Sequence, residues 1–513
     1  MPGNFYESLQ TAMQANPDKL CFLCPAGESY TFAEIDRLAG QFASTLQADG
    51  VEPGDRVVVQ VEKSVAAYAL YLGALRCGAV FVPLNTAYTT AELSYFIEDA
   101  APRVLILDPE RTIALNAHQH DNAANPNAGQ KPEPLHRTLS DDPQEGLWKT
   151  AREHQPIAEV VDRSEEDLAA IVYTSGTTGR SKGAMISHRA LETNAKTLQR
   201  IWGYEPNDVL LHALPIFHIH GLFIAMHPTL LNGSTTLFLK AFNATVVRQH
   251  LAQATILMGV PTFYLRLLAE PGFGAHDCDS IRLFVSGSAP LTAQASQAWT
   301  DATGSRILER YGMTEAGIIS SNPLAGERIP GTVGFALPDV DVRVCDDNGA
   351  EVRAGEVGTL EVRGPNLFSG YWRKPEKTTE ELREDGFFVT GDLCTQQDDG
   401  RITIVGRAKD LIISGGYNIY PKEIESVLDE VDGVTESAVV GVPHPDLGEG
   451  VVAVLVGPTP VPDAVLKSAL EEKLARFKHP RRFVWIDALP RNAMGKVQKN
   501  HLGARYEQVY QAP

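Results

Sequence analysis

The segment Ile171-Val172-Tyr173-Thr174-Ser175-Gly176-Thr177-Thr178-Gly179-Arg180-Ser181-Lys182-Gly183 sets three threonines, two serines and three glycines around one lysine, directly after an apolar run. Glycines let the backbone turn tightly and bring N–H groups close to phosphate oxygens. The hydroxyls add donors and Lys182 adds positive charge, so the chemistry expected here is phosphate binding. A Walker A loop needs glycine directly before its lysine and Ser or Thr directly after it. Here Ser181 precedes Lys182 and Gly183 follows, which excludes a P-loop NTPase.

Such a loop needs a strand before it and a helix after it, and the flanking text supplies both. The run ending at Tyr173 reads as a buried strand, and a helix is expected after Ser187. Around this unit, residues 30–108 alternate helix and strand. Thr31 with Glu34 reads as a capping box, and residues 56–60 and 103–107 read as short buried strands. A second such run covers residues 167–310. Residues 116–154, rich in Asn, Pro, Asp, Gln and His, read as a surface excursion. After Pro338, short strands are expected at 340–344, 358–363, 386–390 and 401–405, a small β-rich subdomain. From Pro421 helix and strand return. The boundary falls near Arg407–Asp410, giving domains 1–408 and 409–513. The expected class is α/β: a large N-terminal domain of layered α/β subdomains plus the β-rich subdomain, then a small, mobile α+β C-terminal domain.

The 513 residues suffice for about three compact units with a substantial core. A net charge of −19 argues against a nucleic-acid partner, which calls for a basic face. Of six cysteines only Cys21 and Cys24 are closely spaced, and no second pair completes a zinc site, so reduced thiols are expected. The chain shows neither signal-peptide nor presequence features nor an apolar run of about 20 residues, and the expected location is cytoplasmic, with no membrane partner.

Six further motifs follow the loop. They are Leu214-Pro215-Ile216-Phe217-His218-Ile219-His220-Gly221, Ser286-Gly287-Ser288-Ala289-Pro290, Glu309-Arg310-Tyr311-Gly312-Met313-Thr314-Glu315, Phe387-Phe388-Val389-Thr390-Gly391-Asp392, Gly406-Arg407-Ala408-Lys409-Asp410 and Pro490-Arg491-Asn492-Ala493-Met494-Gly495-Lys496. In this order, and over nearly the whole chain, the set resembles the adenylate-forming superfamily of acyl-CoA synthetases, firefly luciferase and peptide-synthetase adenylation domains.

The resemblance implies that a carboxylate attacks the α-phosphate of ATP, releasing pyrophosphate, and that the thiol of coenzyme A then displaces AMP. It implies that Thr174, Ser175, Gly176, Thr177, Thr178, Gly179 and Lys182 cradle phosphates, with Thr314 donating to them. Glu315 is implied as the ligand of Mg²⁺, for which one carboxylate plus phosphates and water is an ordinary set. Tyr311, with Gly312 beside it, would stack on the adenine, whose edge would run along Gly287 to Ala289. Asp392 would accept from both ribose hydroxyls and Arg407 would donate to the ribose. Lys496 would bridge the attacking carboxylate and the α-phosphate. Lys496 stands far from the phosphate loop in sequence, so the C-terminal domain must close over the nucleotide. The resemblance implies a second closure, hinged near Lys409, in which Gly415 and Gly416 let pantetheine pass close to backbone.

Three residues bear on the acid. His218 lies in the segment that borders the acyl pocket in this family. Ser288 would offer a hydroxyl. Pro261 signals a helix start, and Arg266 is four residues beyond Thr262, so the two share a helical face. Helix geometry alone leaves Arg266 equally open to a structural ion pair or to the pocket, where a guanidinium suits a second carboxylate. Residues 83–89, 212–215, 258–266, 310–315 and 496–500 look closely similar to malonyl-CoA synthetases. The resemblance implies malonate as the acid, with Arg266, Ser288 and His218 as its contacts. Methylmalonate or another short acid is the alternative, since one methyl changes discrimination by only about 1–3 kcal/mol. A peptide-synthetase module is disfavoured because no carrier segment follows Lys496, and a non-catalytic nucleotide-binding regulator because Lys496, Glu315, Thr178 and Asp392 occur together.

Overall fold

The computed structural model describes residues 3–122, 133–174, 181–492 and 495–510, with side chains at 116–122 left aside. Two sheets build the large domain. In the first, Leu135–Thr138, Val104–Leu107, Arg56–Gln60, Val80–Pro83 and Leu168–Thr174 lie parallel in that order. Lys182–Ser187 closes it antiparallel to Leu168–Thr174. In the second, six parallel strands run from Leu20–Leu23 through Thr235–Phe238, Val209–His212, Ile256–Gly259 and Leu283–Ser286 to Ile307–Met313. Antiparallel strands flank them, Ser29–Thr31 at one edge and Gly317–Ser321 with Phe335–Ala336 at the other. Parallel strands bury both faces and read as unbroken apolar runs, as Val104-Leu105-Ile106-Leu107 does. The helix Val65–Arg76 is buried at every position, as a helix apolar all round must be.

Local signals set the boundaries. Thr31 and Glu34 form the expected reciprocal capping box ahead of Phe32–Ala48. Ser187 caps His188–Ile201 through its side chain. Pro261 opens Pro261–Leu268, where its missing N–H is no loss. The expected surface excursion over 116–154 is more ordered than the composition suggests. The helix Pro109–Asn122 enters it, and Leu135–Thr138 and Gly146–Glu153 follow, with residues 123–132 outside those described. The strand there borrows its stability from pairing with Val104–Leu107, and Leu147, Trp148 and Ala151 of the helix are buried.

The β-rich subdomain is a four-stranded antiparallel sheet of Asp341–Cys345, Gly358–Arg363, Phe388–Gln396 and Ile402–Arg407. The turn Ala408–Asp410 leads from it into a last sheet of five strands, packed on Pro421–Leu428 and Asp463–Lys473 with its own apolar core. All six cysteines are unpaired. Among the described residues, no helix is long and apolar enough to cross a membrane.

Candidate active site

In parallel sheets ligands gather at the carboxyl ends of the strands. Here those ends deliver, side by side, the segments after His212, Gly259, Ser286 and Met313. On the nucleotide side, Asp392 and Arg407 are register partners on adjacent strands, and Arg407 Nε meets Asp392 Oδ1 at 2.6 Å. Tyr311 donates its hydroxyl to Asp392 Oδ2. Thr390 Oγ1 accepts the Asp392 N–H at 3.0 Å, which fixes the turn presenting the buried carboxylate. Gly312 permits the tight strand pairing behind Tyr311: a Cβ there would lie 2.0 Å from the Gly317 carbonyl oxygen. Half-buried Thr314 and buried Glu315 follow the last ladder pair, Met313 with Gly317, in the turn between the two strands.

Glu315 Oε1 accepts from the Tyr371 hydroxyl at 3.0 Å. Burial raises its carboxyl, and no ion pair reaches it among the described residues. A buried acid with no direct ion-pair partner among the described residues fits a bound Mg²⁺. Thr174 is half-buried at the end of its strand, whereas Ser175, Gly176, Thr177, Thr178 and Gly179 lie outside the described residues. Lys182 does not stand free toward the phosphate loop. Its ammonium pairs with Glu381 at 2.9 Å and lies 4.1 Å from the Tyr371 ring centroid.

The acid side centres on two histidines, a serine and an arginine. His218 Nδ1 accepts the backbone N–H of His220 at 3.2 Å, so the ring proton belongs on Nε2 and the neutral ring is a donor. Burial, then the charges of Lys496 and Arg310, push His218 down to about 3 and keep it neutral. Ser288 sits at φ +67°, a left-handed conformation rare outside glycine, and its Oγ lies 3.2 Å from His220 Nδ1. Half-buried Ala289 follows. Beneath them lies Arg310, 5 % exposed, with Nε and Nη2 buried and without a hydrogen-bond partner among the described residues. Burial pulls its guanidinium down to about 9. Gly287 makes room for it, since a Cβ there would fall 2.5 Å from Arg310 Cζ.

Arg266 departs from expectation. It shares the helix Pro261–Leu268 with Thr262, but it is exposed, and no hydrogen bond or ion pair holds it among the described residues. Thr262 is half-buried while Arg266, one turn on, is exposed, and the arginine buried against Gly287 is Arg310. The motif around Arg310 contained a signal for it: a lone cation on a strand whose first four residues are all buried. His220, Tyr371 and Glu381 also lie in the site and were not singled out by sequence.

The C-terminal domain covers this ground. Asn492 Oδ1 accepts the Lys496 N–H at 3.0 Å, and Asn492 N–H donates to the Lys496 carbonyl at 2.9 Å, closing a tight loop. The loop rests on the acid side: a Cβ on Gly495 would lie 3.5 Å from Thr262 Oγ1. Lys496 is open to solvent within the cleft, yet the enclosing protein and the Arg407 charge lower its pKa, against Asp392 and Glu315, which raise it. Lys496 thus shares one field with the nucleotide-side acids and with His218. Gly415 and Gly416, at φ +58° and +81°, form the exposed turn between Ile412–Ser414 and Tyr417–Ile419.

Comparison with known proteins agrees with this geometry. The AMP-binding enzyme model matches residues 9–372 and the AMP-binding enzyme C-terminal domain matches residues 423–496. A malonate–CoA ligase of Arabidopsis thaliana is 34% identical, over 93% of this chain and 84% of its own. A feruloyl-CoA synthase of an Amycolatopsis species is also 34% identical, over 94% of each chain. ATP-bound MatB from Rhodopseudomonas palustris is 47% identical over 100% of both chains and superposes with a TM-score of 0.94. The apo form of the same protein superposes at 0.84. The chain belongs to the AMP-binding enzyme family, whose members form adenylates and, as acid–CoA ligases, pass the acyl group to a thiol.

Proposed function

We propose that this protein joins malonate to coenzyme A, spending ATP to AMP and pyrophosphate through a malonyl-adenylate. The observation that carries the choice of acid is the buried Arg310 guanidinium with two nitrogens unpartnered. A buried, unpaired charge is costly, and a second substrate carboxylate satisfies it with paired, charge-assisted hydrogen bonds. A fatty or aromatic monoacid leaves it bare. Sequence similarity supports the same acid: malonate–CoA ligases are among the relatives of this chain, and MatB is 47% identical over its full length.

In this reading one malonate carboxylate rests on Arg310, with Ser288 Oγ and the His218 Nε2–H as further donors, and the other attacks the α-phosphorus. Lys496 lies against both reacting groups and stabilises the charge that develops there. Asp392 and Arg407 hold the ribose and Tyr311, with Gly312 beside it, lies along the adenine, whose edge runs along the backbone from Gly287 to Ala289. Thr314 and the loop hydroxyls, Thr178 among them, donate to phosphates. Glu315 would hold the Mg²⁺ that neutralises phosphate charge when ATP is bound. Arg266 is a second, hydrated cation at the rim, with the smaller share. Gly415 and Gly416 serve the thiol step after the C-terminal domain turns. The cytoplasm fits the six unpaired thiols and the supply of coenzyme A.

A pyrophosphate-release screen of malonate, methylmalonate, succinate, acetate and octanoate, with and without coenzyme A, tests the assignment. Malonate should lead. Arg310→Leu should reduce malonate turnover by about 100-fold or more while ATP still binds, and Arg266→Leu should lose less. Undiminished malonate turnover in Arg310→Leu, or a lead for octanoate, overturns it.

A further inference from the structure

Around Glu315 the structure holds a chain of side chains that substrate binding alone does not explain. Tyr371 is buried and packs edge-on against Phe368 at 4.9 Å between ring centroids, so its ring has little freedom, and its backbone N–H donates to Thr378 Oγ1 at 2.9 Å. Its hydroxyl oxygen lies 3.0 Å from Glu315 Oε1 and 2.6 Å from Glu381 Oε2. Glu381 Oε1 in turn takes the Lys182 ammonium at 2.9 Å. The same segment grips Glu315 from behind, because the Phe368 N–H donates to the Glu315 carbonyl at 2.7 Å. A phenol has one proton to donate, and here two carboxylates compete for it. Distance favours Glu381, but the Lys182 charge engages that carboxylate and weakens it as an acceptor, so the Tyr371 hydroxyl also serves Glu315.

We propose that Tyr371 is a positioning residue that orients the Glu315 carboxylate for its metal, and that the Lys182–Glu381 pair keeps the Tyr371 hydroxyl on that task. Lys182 thereby links the strand after the phosphate loop to the metal-binding acid. The proposal rests on the ligase reading for the identity of Glu315 as the Mg²⁺ ligand. Hydrogen bonds to a ligating carboxylate from outside the metal shell typically change metal affinity 10–100-fold.

Calorimetry of Mg²⁺ with a non-hydrolysable ATP analogue, without acid or thiol, gives the direct readout on the full chain. Tyr371→Phe removes only the hydroxyl and should weaken Mg²⁺ about 10-fold. The Mg²⁺ needed for half-maximal adenylation should rise equally, with the KM for malonate unchanged. Lys182→Met should shift Mg²⁺ the same way, because Glu381 then draws the phenol proton. Adding Glu381→Gln to Lys182→Met should restore Mg²⁺ affinity toward wild type, which no loss of a Lys182–phosphate contact or of folding would allow. Unchanged Mg²⁺ affinity in Tyr371→Phe, or no recovery in the double variant, overturns the proposal. If wild-type protein bound no Mg²⁺–nucleotide at all, the ligase reading would fail first and this one with it.

Discussion

A guanidinium buried without an acid destabilises the protein that carries it, and Arg310 stands in that position with two nitrogens unmatched among the described residues. The strain sits where a ligand relieves it, and a strand position that should hold an apolar side chain holds a cation. Arg310→Leu should therefore raise the thermal midpoint of the ligand-free protein, by about 1–3 °C, while abolishing activity on malonate. Malonate with a non-hydrolysable ATP analogue should raise the midpoint of wild type more than the analogue alone, and this increment should vanish in the variant. A lower midpoint for ligand-free Arg310→Leu, in differential scanning fluorimetry, would mean that Arg310 is a structural residue. The sequence led instead to Arg266, because helical spacing says which residues share a face but not how far round that face the pocket wall extends. Whether position 266 meets protein or water depends on tertiary packing around its helix, and no local signal records that.

At the level of elements, legibility follows whether an element carries its own stop and start signals. The Thr31 capping box, the Ser187 cap and Pro261 are short-range chemistry, and each stands at its expected place. Leu135–Thr138 has no such signal and exists through pairing with Val104–Leu107, so composition alone misread it as a loop. The loop that carries Lys496 combines both kinds. Its Asn492 contacts are local, but Arg491 holds the Gly495 carbonyl at 2.5 Å while pairing with Glu436 on a neighbouring strand. That grip sets the peptide from which Lys496 departs. Arg491→Ala should slow pyrophosphate release about 10-fold or more while leaving thioester formation from supplied malonyl-adenylate near wild type, because small misplacements of a reacting group are amplified in rate. Arg491→Lys, which keeps the charge but not the two-pronged reach, should fall between. Equal losses in both half-reactions would make Arg491 a general support of the C-terminal domain.

For the whole molecule, Lys496 stands far from the phosphate loop in sequence, and the structure has its loop placed with Gly495 against Thr262. In this arrangement Lys496 feels Asp392, Glu315 and Arg407 together, while the Gly415–Gly416 turn stays exposed, away from any reacting group named above. If Lys496 serves adenylation and the Gly415–Gly416 turn serves the thiol step, as proposed, one arrangement cannot present both to the same acyl-phosphate, and the two steps call for two placements of the C-terminal domain about the turn at Ala408–Asp410. Lys496→Ala separates them. Pyrophosphate release from ATP and malonate should fall about 100–1,000-fold, the usual loss when one preorganised charge is removed from a transition state. Thioester formation from supplied malonyl-adenylate and coenzyme A should persist within a few fold, since Lys496 has left the site by then. Lys409→Pro, which stiffens the turn, should give the opposite pattern, a burst of pyrophosphate followed by stalled thioester formation. Rapid-quench measurement of both half-reactions decides between this and a single fixed closure, in which Lys496→Ala slows both steps alike and Lys409→Pro separates neither.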